Sequence, residues 1–192
     1  MKKFILPLLI GGGLLLTGCN KDEVSGDFQF GGVSKSVTSA VVYLYDRSSE
    51  ETNYEVYLML DGTEWDSEYG SAVYFDLYFE GAVDELPAGT YVLGDDILDY
   101  GSYSSYTRTE ETNADIVSGT LTVGKDGDNW SFKFEGKALA YIYNEETDEY
   151  EYGDPQSFSC SYSGPVTYVE DDYDEYEPAS ATGSLMSRKS RK

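Results

Sequence analysis

Apolar and polar residues alternate along much of this chain, and no long stretch repeats its apolar residues at the helical period. Trp130, Phe132 and Phe134 fall on one side of a segment whose other side carries Ser131, Lys133 and Glu135. Phe158, Cys160 and Tyr162 alternate with serines at 157, 159, 161 and 163 in the same way, and Val73, Phe75, Leu77 and Phe79 alternate with Tyr74, Asp76, Tyr78 and Glu80. Val117, Leu121 and Val123 line one side of a further segment, with Gly119 between them. Tyr54 to Leu60 and the β-branched, aromatic run Val37 to Tyr45 make two more, and Thr90 to Leu93 and Phe28 to Phe30 add two short ones. A period of two places alternate side chains on opposite faces of an extended strand, so each segment reads as half-buried β-structure.

Turn chemistry separates the segments. Asp61-Gly62 follows Leu60, Leu86-Pro87-Ala88-Gly89 precedes Thr90, and Gly124 to Asn129 contains the hairpin pair Asp126-Gly127. Gly164-Pro165 interrupts the last long segment and points to an edge or a bulge, because proline has no amide hydrogen to give a ladder. The whole predicts an all-β fold: an antiparallel meander of about eight strands, closed into a partly open calycin-like barrel. A two-sheet sandwich is the alternative, since alternation alone does not separate the two. Three segments lack the pattern. Asp99 to Asn113, with tyrosines at 100, 103 and 106, reads as a loop; Asn144 to Asp154 and Glu170 to Glu177 read as solvated hairpin tips or loops.

The N-terminus follows different rules. Lys2 and Lys3 precede an uncharged stretch from Phe4 to Leu16, 13 residues long, against roughly 20 needed to cross a bilayer core. That combination describes a signal peptide. Leu16-Thr17-Gly18-Cys19 resembles the bacterial lipobox. The resemblance implies that residues 1–18 are removed and that Cys19 becomes an acylated N-terminus, which binds the membrane through its lipid anchor. Asn20-Lys21-Asp22-Glu23 is similar to the acidic surface-export signal of Bacteroidota lipoproteins. It implies an outer-membrane, surface-exposed location, with a tether facing the periplasm as the alternative. ELPAGTYVLG, SGTLTVGKDGDNWSFKFEG and SFSCSYSG also resemble segments of small lipoproteins of that group, and carry no functional residue across. The organisation expected is a signal at 1–18, a tether at 19–27, one β domain at 28–178 and a disordered basic tail at 179–192 containing Arg188, Lys189, Arg191 and Lys192.

Charge and composition narrow the function. The formal net charge is −23. Loss of residues 1–18 removes two of the 13 basic residues and none of the 36 acidic ones, so 11 against 36 leaves −25. Such a body repels nucleic-acid phosphates and anionic lipid, and nucleic acid is excluded as a partner. There is no histidine, which removes the commonest general base and every Ser-His or Cys-His pair. With Cys19 acylated, Cys160 is the remaining thiol, so neither an internal disulfide nor a cysteine zinc site can form. Cys160 alternates with Phe158 and Tyr162 and belongs to the core, where a thiol acts as a small hydrophobe. No catalytic residue and no cofactor is expected.

Nineteen tyrosines and two tryptophans stand out. Aromatic faces stack on sugar rings while carboxylates accept bonds from hydroxyls, so a surface protein rich in both is suited to glycan. Trp130 sits in an apolar alternation and reads as core. Trp65, between Glu64 and Asp66, has no such place and joins Tyr100, Tyr103 and Tyr106 as the candidate ligand-binding group on loops; the alternative is that Trp65 folds back as a plug over a barrel mouth and contributes only stability. Asp126 and Asp128 have the spacing of calcium ligands around Gly127, although an ordinary hairpin explains the same residues. The expected function is a non-catalytic surface module that binds glycan or another extracellular ligand. An accessory lipoprotein acting through a protein partner is the alternative, and an enzyme ranks third. Mass spectrometry of the membrane fraction should find a mature chain beginning at an acylated Cys19; any other N-terminus, or Cys19 without acyl mass, overturns the anchor.

Overall fold

The computed structural model describes residues 24–65, 67, 69–107, 111–144 and 147–170. The signal segment, Cys19 and the basic tail lie outside them. Eleven strands occur among the described residues: β1 (Asp27–Phe30), β2 (Val33–Arg47), β3 (Glu51–Leu60), β4 (Gly70–Glu80), β5 (Gly89–Val92), β6 (Leu98–Tyr106), β7 (Glu111–Asp126), β8 (Asn129–Asn144), β9 (Glu149–Tyr152), β10 (Gln156–Pro165) and β11 (Thr167–Glu170).

The eight alternating segments all form strands, and the chain is all-β and antiparallel in its main sheet. Pairing runs β1–β2–β3–β4–β6–β7–β8–β10 and returns to β1, so eight strands form a closed ring in meander order. The ring is uneven, because its longest strands change neighbour along their length. β7 pairs β6 through Glu111 to Asp115 and β5 through Thr120 to Val123. β2 pairs β1 at its start and accepts β11, in parallel, at Val41 to Leu44. Pro165 ends the pairing of β10 with β8, and the chain then crosses to β2.

One face of every ring strand points into a shared core. Phe28, Phe75, Phe132, Phe134 and Phe158 are fully buried there with Tyr54, Leu58 and Leu77. Phe28 meets Phe158 edge-on at 5.5 Å, and Phe75 and Phe134 lie 5.2 Å apart. Burying each such side chain is worth about 1.5–3 kcal/mol. Cys160 and Trp130 are buried in this core, as their alternation implies.

Three local readings change. Asp99 to Asn113 is strand at both ends, not loop: β6 holds its first part and β7 begins at Glu111. A bulge at Val117 reverses the facing of β7, so Ile116 and Leu121 are both buried while Val117 is exposed. The β7–β8 connection is tighter than the stretch from Gly124 to Asn129: Asp126 pairs with Asn129 and only Gly127 and Asp128 lie between, with Gly127 at φ 62°. Positive φ is what such two-residue turns require, and glycine takes it without strain.

Gly119 and Gly136 face each other across β7 and β8. A Cβ on Gly136 would lie 2.0 Å from the Ser118 carbonyl oxygen and 2.7 Å from the Gly119 Cα. Both contacts are backbone, so no rotamer relieves them. Gly136→Ala should therefore cost about 1–3 kcal/mol, the range of core overpacking. Urea denaturation should show the midpoint falling, while Gly127→Asn, in an open turn, shifts it far less.

Candidate functional site

Closing the ring fixes which side chains face outward, and on β2, β3, β4 and β6 these are largely tyrosines and carboxylates. Register aligns Tyr43 with Glu55, Glu55 with Asp76 and Asp76 with Tyr100 in one row across four strands. The adjacent row aligns Val41, Tyr57 and Tyr74. Trp65, carried by the connection between β3 and β4, folds back onto this outer face and meets Tyr57 edge-on at 4.4 Å and Tyr43 at 6.2 Å. Tyr57 touches Tyr74 at 4.9 Å, and Tyr74 lies 6.1 Å from Tyr100. The rings thus form an unbroken band from Tyr43 and Trp65 to Tyr100, in which Tyr43 and Tyr57 are buried with Val41, Met59 and Ala72 as a floor and Trp65, Tyr74 and Tyr100 reach the surface.

Hydroxyls and carboxylates lock the band together. The Tyr57 and Tyr74 hydroxyls both donate to Glu55, at 2.7 and 3.2 Å. Asp76 accepts from the Asn53 amide at 2.5 Å and from the Tyr78 hydroxyl at 3.3 Å. Burial pushes the Tyr74 hydroxyl well above the ordinary tyrosine range, and the negative charges of Glu55 and Asp76 push it further. Tyr78 is raised to about 12 by burial and by Asp76 beside it. Burial also raises the Asp76 carboxyl, against the opposing pull of hydrogen bonds from Asn53, Tyr78 and Tyr74. Each phenol remains a proton donor at neutral pH, held by an acceptor that fixes its ring.

Beyond Tyr100 the outer face continues. The Tyr100 hydroxyl donates to Asp115 at 2.7 Å, and Tyr106 lies beside Glu111. Past them, β8 and β9 form a hairpin that projects from the ring, with Tyr141 opposite Tyr152 and Tyr143 opposite Tyr150.

The structure divides the candidate residues. Trp65 and Tyr100 join one band through Tyr57 and Tyr74, and Tyr106 shares the outward side of β6. Tyr103 does not: its position three residues from each neighbour turns it inward, where it is 4% exposed and its ring lies 4.6 Å from Phe28. It belongs to the core. Trp65 caps the outside of the sheet rather than a barrel mouth. Asp126 and Asp128 bracket the tight turn of β7 and β8, and among the described residues no three or more acidic, cysteine or histidine side chains gather to hold a metal ion. Burial drives the Cys160 thiol far above its ordinary range, so it is protonated and unreactive in the fold.

Sequence reasoning missed Tyr43, Tyr57 and Tyr74. The signal was present: these tyrosines occupy the outward half of alternating segments, where lysine, serine or glutamate is the ordinary choice. No protein-family model, curated protein or solved structure matches the chain.

The raised Asp76 carboxyl sets a pH test. Folding favours its protonated form, so its contribution is most favourable below the ordinary carboxylate range near pH 4 and is lost as pH rises through the folded value. Asp76→Asn keeps an oxygen to accept from Asn53 and removes the charge. The variant should melt above the parent at pH 7, with the gap closing as pH falls towards 4; a parent that is the more stable at pH 7 contradicts this account.

Proposed function

We propose that this chain is a non-catalytic, lipid-anchored module of the cell envelope that holds glycan on the outer aromatic band. The observation that carries the reading is the continuous run of rings from Trp65 through Tyr57 and Tyr74 to Tyr100, with Glu55 and Asp76 set between them. The C–H faces of sugar rings are apolar and pack on aromatic faces, while sugar hydroxyls donate to carboxylates. The rings of this band that reach the surface, Trp65, Tyr74 and Tyr100, and the half-buried acids Glu55 and Asp76 supply both kinds of contact on one surface. The ring interior is filled by side chains such as Phe28, Phe134 and Phe158, which supports a site on the outside.

Preorganisation supports the same reading. The phenols are already bonded to fixed acceptors, so a ligand meets rings that lose little freedom on binding. The negative body favours neutral over anionic glycans. Glu55 and Asp76 are engaged by tyrosine and asparagine donors in the fold, an arrangement suited to positioning rather than proton transfer. The resemblance of Leu16 to Cys19 to a lipobox, and the acidic stretch after it, support a location on the outer membrane facing outward.

A glycan array on the mature chain should identify at least one neutral polysaccharide ligand. Trp65→Ala should weaken its binding about tenfold or more and lower stability by about 0.5–1.5 kcal/mol, the worth of an aromatic pair. Tyr100→Ser, at an exposed position, should weaken binding with little change in melting temperature. Parental affinity in both variants, or no glycan bound by the parent, removes the reading.

A further inference from the structure

The projecting hairpin of β8 and β9 differs from the rest of the outer face. Three of its tyrosines, Tyr143, Tyr150 and Tyr152, are the most exposed tyrosines among the described residues, the last two at 57% and 55%. They are arranged as a ladder: Tyr141 lies 5.3 Å from Tyr150 and 5.6 Å from Tyr152, and Tyr143 lies 5.2 Å from Tyr150. No apolar floor covers them, and they are not needed to fill the core.

β9 is also a sheet edge. It pairs with β8 alone, so among the described residues its other side has no strand beside it. Alternation gives that edge two faces. Tyr150 and Tyr152 stand on the outward side; Glu149 and Glu151 stand on the other, opposite Asn144 and Ile142 respectively, and Glu151 accepts from the Asn144 amide at 2.6 Å. Glu111 and Asp115 border the tyrosine side: Asn113, their neighbour on β7, is the cross-strand partner of Tyr141. No ion pair among the described residues includes Glu111, Asp115, Glu149 or Glu151.

We propose that the free edge of β9 is a docking site for an extended peptide segment rich in arginine or lysine, which adds to the sheet as a further strand. Main-chain pairing to β9 supplies the geometry, and alternate side chains of the added strand fall on opposite faces. Basic residues on one face lie against the rings of Tyr150 and Tyr152, where a cation is attracted to the π-face. Those on the other face lie opposite Glu149 and Glu151, as favourable cross-strand pairs. A second copy of this chain brings glutamate against glutamate at the same edge and is repelled. A free edge favours a peptide over a sugar polymer, because only a peptide can use the amides and carbonyls of β9.

This site begins where the glycan band ends, at Asp115, which accepts from Tyr100, and its test uses different residues. The probe is an octapeptide of repeated Arg-Arg-Thr-Thr, which carries arginine on both faces of an added strand, compared with the same peptide N-methylated at alternate amides and with a Glu-Glu-Thr-Thr octapeptide. Isothermal titration should show the arginine peptide binding about tenfold tighter than its N-methylated form, with no binding by the acidic one. Amide exchange should slow at residues 149–152 on saturation. The Tyr150→Ala/Tyr152→Ala double variant should weaken the peptide about tenfold, and Glu149→Gln/Glu151→Gln severalfold, with melting temperatures unchanged because the hairpin lies outside the core. The control Glu50→Gln/Glu80→Gln removes the same charge elsewhere and should leave affinity intact. Equal binding of the N-methylated peptide, or affinity that tracks net charge alone across all variants, overturns the proposal. So does a neutral oligosaccharide that protects 149–152 where the arginine peptide does not.

Discussion

Pairing of β1 with β10 is the contact on which the rest of the structure depends. β1 has four residues, yet it bonds β2 on one side and β10 on the other, and so joins the first strand of the ring to its last. Without it the meander has two long open edges. With it, eight strands enclose an interior just wide enough for side chains to fill. Phe28 and Phe30 deliver the closing strand's share of that interior, meeting Phe158 and Tyr103 within 4.6–6.1 Å. Closure and core formation are therefore one event: the strand that removes the edges also carries the rings that complete the packing.

Closure has a second consequence, for the residues left outside. Once one face of each strand is committed to the core, the other must face outward, and register then decides its neighbours. Tyrosine suits this position because its ring packs sideways on other rings while its hydroxyl reaches a carboxylate or water. The carboxylates gain in turn, since donors from Asn53 and Tyr78 offset part of the cost that burial imposes on the Asp76 charge. Outer-face rigidity thus comes from paired hydroxyls and acids over a small apolar floor of Val41, Met59 and Ala72. That floor explains why both faces of β3 are buried although only one faces the main core.

The legible and illegible parts of this fold differ in a physical way. Where inward positions needed bulk, as at Trp130, Phe132 and Phe134, alternation was plain and the strand was readable. β6 hid because its inward positions needed little bulk: a Cβ on Gly101 would meet Phe75 and Ile116 at 3.1–3.2 Å, so those larger side chains already fill the space. Serines at 102, 104 and 105 then masked the period, and Tyr100, Tyr103 and Tyr106 looked like one group. A spacing of three unites residues on a helix and separates them on a strand, which is why Tyr103 went to the core and the other two outward. Val117 was misplaced by a bulge, which carries no sequence mark of its own. Trp65 was correctly set apart from the strands, but its partners Tyr43 and Tyr57 come from two other strands, and only register could name them. The hairpin of β8 and β9 was legible as a solvated acidic tip; that it ends in a free edge was a matter of topology.

Charge ties these observations together. The described cations that form ion pairs meet Asp61, Asp84, Glu170, Glu85 and Glu135. Exposed pairs of this kind contribute at most about 1 kcal/mol each, so they do not hold the fold. Their effect is one of distribution. Lys35 shares the inward side of β2, bonded to Ser71, and Lys125 sits over Trp130 at the far end of β7, so neither neutralises the tyrosine face. Asp76, Glu111 and Asp115 are left among aromatic rings without an ion pair among the described residues. A chain with this many acids accepts self-repulsion across its whole surface. Lys133 and Lys137, by contrast, stand on the outward side of β8, where Lys133 pairs with Glu135. The fold keeps most of its stability in the apolar packing inside the ring, so the outer face can carry this excess of acid without the ion pairs that would neutralise it.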